Sequence, residues 1–417
     1  MLSMRSRVTR LMAAAAFAGA ASACGDGASR ATPGVSGDTI TIGAIAPLSD
    51  AVAVIGGPMT AGMQTYIDGL NARGGIGGRY FLKLLVEDQT YANPSTSQQK
   101  YQKFKDQVAM LGLVVGTDHV NTLLPLLDED RIIAMPATFD DEWVREPMLL
   151  PWGSTYQLWA YNALAYYREE AGGATGKICA MALATGYGDA GLEGATLAEE
   201  KLGFTLATTT RFKQDDQDYI AQITQLRNAQ CDAVLLISLP SNTGRILGTA
   251  AQARFAPRWI TLSPGWHGAL LESPVRDYLA ARLWVAFDGA EWGDTAGVPG
   301  MQRLIADRAQ FRPDQKPDLY FFAGYAMGVG VEALLTEAVE RGDLTREGLV
   351  AASTTLGDVS YLGLIGDYVY GPADMREPPR STNIFAVDPT HPMGLRAVRR
   401  SYQHPGAGEV AFTRTPR

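Results

Sequence analysis

The sequence predicts an α/β protein whose strands are mainly parallel. Short apolar runs bounded by Gly, Pro or Asp recur along the chain, segments with apolar residues at helical spacing lie between them, and the pattern restarts near Lys177. Strands separated by helices pair in parallel through right-handed crossovers. A restart after the first run implies two α/β halves of similar size.

Residues 39–47 (TITIGAIAP) read as a strand ending in a loop. Met59, Met63, Tyr66, Ile67 and Leu70 then fall on one helical face, and Gly74 and Gly75 stop that helix. Residues 80–87 are the next strand, with Asp88 at its end, and Pro94 opens a polar helix to about residue 108. A strand at 111–115 closes on Gly116, a helix covers 123–130, and a strand covers 131–135. In the second half, strands are expected at 177–184, 204–210, 232–238 and 259–262, with helices at 188–201, 216–229 and 243–253. A long helix at 320–341 has aromatics at its start and carries Ala323, Gly324 and Gly328 on one side. Asp343 or Thr345 caps a further helix to about residue 355. Residues 367–370 and 383–387 read as a terminal hairpin around a Pro-rich loop.

Composition excludes several classes. With 417 residues the chain is long enough for two or three domains. It is 46% apolar and 19% charged, enough to form a sizeable core. Its 44 acidic and 36 basic residues give a net charge of -8, where a nucleic-acid binder carries a basic surplus. Three cysteines, Cys24, Cys179 and Cys231, are too few for a disulfide-built scaffold and lack zinc-site spacing.

The amino terminus reads as an export address. Arg5, Arg7 and Arg10 precede an uncharged apolar run, residues 11–23, which is too short to span a membrane. Its end, Ala21-Ser22-Ala23-Cys24, fits ordinary signal cleavage or a lipobox in which Cys24 is lipidated. Residues 1–23 are thus expected to be a signal peptide. Cys24 to Gly37 would form a lipid attachment point and flexible tether. No later segment reads as long and apolar enough to cross a membrane. If Cys24 is lipidated, Cys179 and Cys231 remain as disulfide partners or as two buried thiols.

Enzyme motifs are missing. There is no phosphate-binding loop, no H-E-x-x-H, no C-x-x-C and no nucleophile elbow. Gly75-Ile76-Gly77-Gly78 follows a helix and reads as a turn. His119 and His267 follow apparent strands and could line a cleft or sit on surface loops. The acidic clusters at 128–130 and 140–142 read as solvated faces, so no metal and no cofactor is expected. In open α/β sheets, ligands sit beyond the carboxyl ends of the strands. The segments there are 47–49, 116–121, 137–139, 186–188, 239–241 and 263–267. Their hydroxyls, amides and aromatics suit a small ligand with an apolar body and a polar end. Backbone N–H groups after Gly116 could receive an anionic group.

Together these segments resemble the type I periplasmic binding proteins that feed ABC transporters, in the leucine/isoleucine/valine and amide branch. The residues carrying the resemblance are ITIGAIAPLS at 40–49, IDGLNARGGIGG at 67–78, Glu87-Asp88, Val114-Val115-Gly116, Ala134-Met135-Pro136-Ala137-Thr138 and Tyr187-Gly188. It extends from about residue 38 to 390. It implies two Rossmann-like lobes with parallel sheets joined by a three-crossing hinge. Carried over, one lobe takes 38–152 and 288–357, and the other takes 153–287 and 358–417. It also implies a monomer that captures a ligand by lobe closure, without catalysis, and passes it to a permease outside the cytoplasmic membrane.

In the family, the loops matching Thr117 to Asn121 and Ala137 to Phe139 hold a ligand carboxylate, and the tyrosine matching Tyr187 closes over the ligand. The expected ligand contacts are Ser49, Thr117, Asp118, His119, Asn121, Ala137, Thr138, Phe139, Tyr187, Leu239, Trp266 and His267. Amino-acid binders of this branch carry an acidic residue in the loop matching Ser263 to His267, and this chain has none there. A buried ammonium without an acidic partner is poorly compensated. A ligand without an α-ammonium is therefore expected, an apolar carboxylate or an amide. Trp266 would then be either a wall of the site or a lobe-core residue, and Asp118 or Glu291 could supply the missing charge. The alternatives are a branched-chain amino acid carrier and a ligand-sensing receptor component.

Overall fold

A computed structural model describes residues 32–413. The expected signal peptide, Cys24 and the first part of the tether lie outside the described residues. The last part of the expected tether is strand. There β1 (Val35–Ser36) folds back antiparallel on the start of β2 (Thr39–Ala46), with Val35 opposite Ile40.

After β2 the chain runs through α1 (Ala53–Ala72), β3 (Phe81–Asp88), α2 (Ser95–Phe104), β4 (Met110–Val115), α3 (Thr117–Asp130) and β5 (Ala134–Ala137). Strands β3, β2, β4 and β5 lie side by side and parallel. Every residue of β4 is buried, as expected of a strand covered on both faces. Helix α3 starts at Thr117, not near residue 123, because Gly116 adopts a φ of 100° and turns the chain directly out of β4.

The second lobe comprises α4 (Tyr156–Glu169), β6 (Ile178–Leu183), α5 (Gly186–Leu202), β7 (Thr209–Phe212), α6 (Ile220–Asn228), β8 (Ala233–Ile237), α7 (Pro240–Gln252), β9 (Arg258–Leu262), α8 (Arg276–Arg282) and β10 (Leu283–Phe287). Its strands order as β7-β6-β8-β9-β10, all parallel. The chain then returns to the first lobe as α9 (Pro299–Phe311), α10 (Leu319–Glu340) and α11 (Arg346–Thr355). A two-stranded sheet follows, made of β11 (Asp358–Val359) and β12 (Tyr368–Val369). Finally β13 (Thr382–Val387) and β14 (Leu395–Tyr402) extend the second sheet antiparallel beyond β10. The chain thus passes between lobes three times: between β5 and α4, between β10 and α9, and between α11 and β13.

Three expectations are corrected. The terminal hairpin is β13–β14, and the strand at 368–369 pairs with β11 instead. The strand expected at 204–210 lies at Thr209–Phe212, because residues 204–206 precede the pairing with β6. Helix α10 is long and apolar enough to cross a membrane, yet it is mostly buried inside the protein. It packs on α1, β4 and β5 as the core helix of the first lobe.

Two local features hold these pieces together. Cys179 on β6 and Cys231, just before β8, form a disulfide with their Cα atoms 5.8 Å apart, across two strands that pair directly. Arg376, fully buried on the third crossing, donates to the carbonyls of Gly371, Glu146 and Leu149. Two of those acceptors belong to the chain leaving the first lobe, so one guanidinium ties the first and third crossings. Arg376→Ala is expected to destabilise the protein by about 3 kcal/mol, because three buried carbonyls lose a charged donor. Urea unfolding measures this, and a change below about 0.5 kcal/mol would refute the role.

Candidate functional site

The carboxyl ends of both sheets face a cavity lined from both lobes. The first lobe contributes the end of β4, Gly116 and Thr117, then Ala137, Thr138 and Phe139 after β5. It also contributes Ile55 and Met59 from α1, and Leu319, Tyr320 and Ala323 from α10. From the second lobe come Tyr156, Tyr187, Leu239, Ser263, Pro264 and Phe287, and Tyr91 reaches in from the β3–α2 loop. No side chain lining this cavity carries a formal charge at neutral pH.

Its polar groups are hydroxyls and backbone. Thr117 and Thr138 share a hydrogen bond at 2.8 Å, and the Tyr156 hydroxyl donates to Thr138 at 3.2 Å. These groups stand at the start of α3, where backbone N–H groups and the helix dipole favour an acceptor or an anion. Burial pushes the Tyr156, Tyr187 and Tyr320 phenols well above their ordinary range, so all three remain neutral. Rings form the remaining wall. Phe139 packs on Trp152, Tyr156 and Trp159 at centroid distances of 4.8, 5.6 and 4.6 Å. Tyr156 meets Tyr187 at 4.7 Å.

A second cavity shares Tyr91, Thr117 and Tyr187 with the first and adds Asp118, His119, Thr185 and Gln214. His119 has no free nitrogen facing it. Nε2 lies 2.9 Å from the Tyr91 carbonyl and therefore carries a hydrogen, and Nδ1 lies 2.7 Å from the Ser97 hydroxyl. Burial lowers its pKa, and the neutral ring braces Tyr91.

Of the expected contacts, Thr117, Ala137, Thr138, Phe139, Tyr187 and Leu239 line the first cavity, and Asp118 and His119 line the second. Four stand apart. Ser49 ties the β2–α1 loop to Asp88. Asn121 is exposed on α3. Trp266 is fully buried, and its indole donates to the Met393 carbonyl at 3.2 Å, which makes it a lobe-core residue. His267 pairs with Asp318 at 3.4 Å across the lobes and stacks on Tyr320. Sequence reasoning missed Tyr91, Tyr156 and Tyr320. The last two open helices, and an aromatic at a helix start was the available signal. The Asp140–Glu142 cluster is half-buried and not an exposed face, and burial raises both Asp140 and Asp141 to about 7. Among the described residues no group of acidic, His or Cys side chains is placed to hold a metal ion.

Two parallel-rich lobes with a cavity at their strand ends, crossed three times by one chain, define the type I periplasmic binding protein fold. A family model described as "Periplasmic binding protein" matches residues 39–392, and the chain belongs to that family. Membership implies an extracytoplasmic solute binder. The fold is similar to that of a fatty acid ABC transporter substrate-binding protein from Thermomonospora curvata, at 23% identity and a TM-score of 0.84, covering 92% of this chain and 97% of that one. It is also similar to an ABC transporter substrate-binding protein from Aeropyrum pernix, at 17% identity and a TM-score of 0.77, covering 88% and 97%. A third is a branched chain amino acid ABC transporter protein from Thermus thermophilus with bound valine, at 17% identity and a TM-score of 0.75, covering 91% and 100%.

Proposed function

We propose that the protein is the solute-binding component of an ABC transporter, and that its ligand is a small apolar carboxylate or amide without an ammonium group. One observation carries the ligand class: a cavity walled by Ile, Met, Leu, Phe and Tyr with no charged side chain. An α-amino acid would bury its ammonium there unpaired. A carboxylate or amide oxygen instead meets the Thr117 and Thr138 hydroxyls and the N-terminus of α3. The substrate-binding proteins of similar fold support the transport role, and one of them is described as a fatty acid ABC transporter substrate-binding protein.

The ligand bridges the lobes and shifts them toward the closed arrangement by binding it better. The lobes divide at 152–153, 287–288 and 357–358. A permease receives the closed monomer, which is tethered outside the membrane through Cys24. The ligand leaves chemically unchanged, and no cofactor takes part.

Leucine and 4-methylpentanoate share a side chain and a carboxylate and differ in the ammonium. In a thermal-shift series of such acids, their amides and the matching amino acids, the deaminated compounds are expected to stabilise the protein. The gain is about 2.7 kcal/mol at 100 times the dissociation constant. Stabilisation by leucine and valine but by none of their deaminated analogues would overturn the ligand class.

A further inference from the structure

We propose that Asp118 is a positioning residue: it latches the two lobes together by seating its carboxylate on the N-terminus of α5. The inference rests on the lobe-closure reading above and adds a protein-supplied contact to it. The first N–H groups of a helix have no partner inside it. In α5 the Thr185 side chain accepts from Gly188 at 3.4 Å. The N–H of Gly186 is taken from the other lobe, by Asp118 Oδ1 at 3.1 Å. A carboxylate at a helix N-terminus is also favoured by the dipole, and a charge-assisted bond is stronger than a neutral one.

The fit requires glycine. A Cβ on Gly186 would stand 2.6 Å from Asp118 Oδ1 and 2.9 Å from Thr117 Cγ2, both in the first turn of α3. The lobes therefore meet here backbone against side chain, and a methyl group fits only if Asp118 or Thr117 moves away. Tyr187 follows Gly186 directly, so the contact also fixes where that ring enters the cavity. Two more contacts span the lobes on the α10 side: the Tyr320 hydroxyl donates to the Pro264 carbonyl at 3.0 Å, and Asp318 faces His267. Asp318 is further engaged as the cap of α10, accepting from Tyr320 and Phe321 at 2.8 and 2.9 Å.

Hydrogen exchange followed by mass spectrometry on the full chain without added solute tests the latch. Asp118→Ala is expected to speed exchange at residues 186–188 about tenfold, as for loss of one hydrogen bond to a charged acceptor. The same variant should also speed exchange at 265–267 and 319–321, which touch neither Asp118 nor Gly186. Gly186→Ala should do the same by steric exclusion, and Asp118→Asn, which keeps an acceptor oxygen, should fall between. Acceleration confined to 186–188 would overturn the latch and leave closure standing. Unprotected exchange at all three stretches in the wild type would overturn the closed arrangement and the latch with it.

Discussion

Gly324→Val is expected to destabilise the protein by about 4 kcal/mol or more, among the larger effects a single substitution produces. Helices α1 and α10 cross with their backbones in contact. A Cβ on Gly324 would fall inside the Met59 carbonyl group, and one on Gly62 would fall inside that of Phe321. Neither obstacle is a flexible side chain, so the helices must separate. Behind the contact, Gly328 faces the Tyr66 ring with the same lack of room. Separation would also distort the cavity, because Met59 and Ala323 sit at the crossing and line it. Gly57→Ala is the control. It lies on α1 with nothing within 4 Å of the added methyl, and it should be neutral or stabilise by a few tenths of a kcal/mol. Urea midpoints measure both. A Gly324→Val protein as stable as the wild type would refute the close crossing.

Stability is expected to fall as pH rises from about 4 to 7, and Asp288→Asn is expected to remove a large part of that fall. Asp288 stands where the chain leaves the second lobe after β10. Its Oδ2 accepts from the Ser154 N–H at 2.6 Å, which joins the first and second crossings, and its Oδ1 has no hydrogen-bond partner. Burial raises its pKa to about 7. An unfolded Asp titrates near 4. Between these values the folded chain holds a proton that the unfolded chain has released. The contribution is therefore fully present below about pH 4, is lost as pH rises to about 7, and stays lost above. A shift of this size corresponds to roughly 2–4 kcal/mol. Asp140 and Asp141, also raised to about 7, add slope of the same sign, and His119, whose pKa burial lowers, adds slope of the opposite sign. Asp288→Asn stays neutral and can still accept from Ser154. Thermal unfolding from pH 4 to 8 checks this, and an unchanged slope in the variant would refute it.

Much of the architecture was readable because buried parallel strands are continuous apolar runs. β4, β6 and β8 are buried along their whole length, and their sequences contain little else. Helix α4 was not readable. Eleven of its 14 residues are buried, so it has no polar face and no helical period. Strand β14 was hidden for the opposite reason, since Arg396, Arg399 and Arg400 interrupt its apolar pattern on an exposed edge. The site was half legible. Thr117, Thr138 and Tyr187 sit at strand ends, where topology places ligands. Tyr156 and Tyr320 reach the same space from helix starts that only the tertiary packing brings there. Trp266 has the composition of a wall residue, and its indole N–H is drawn to the Met393 carbonyl instead.

The bond between Cys179 and Cys231 encloses a sequence separation of 52 residues and lies wholly within one lobe. A covalent loop of that length restricts the unfolded chain by about 4 kcal/mol. Because neither sulfur bridges the hinge, that stiffening leaves the travel between the jaws unrestrained. A reducing milieu would thus slacken one jaw alone, while the other kept its shape.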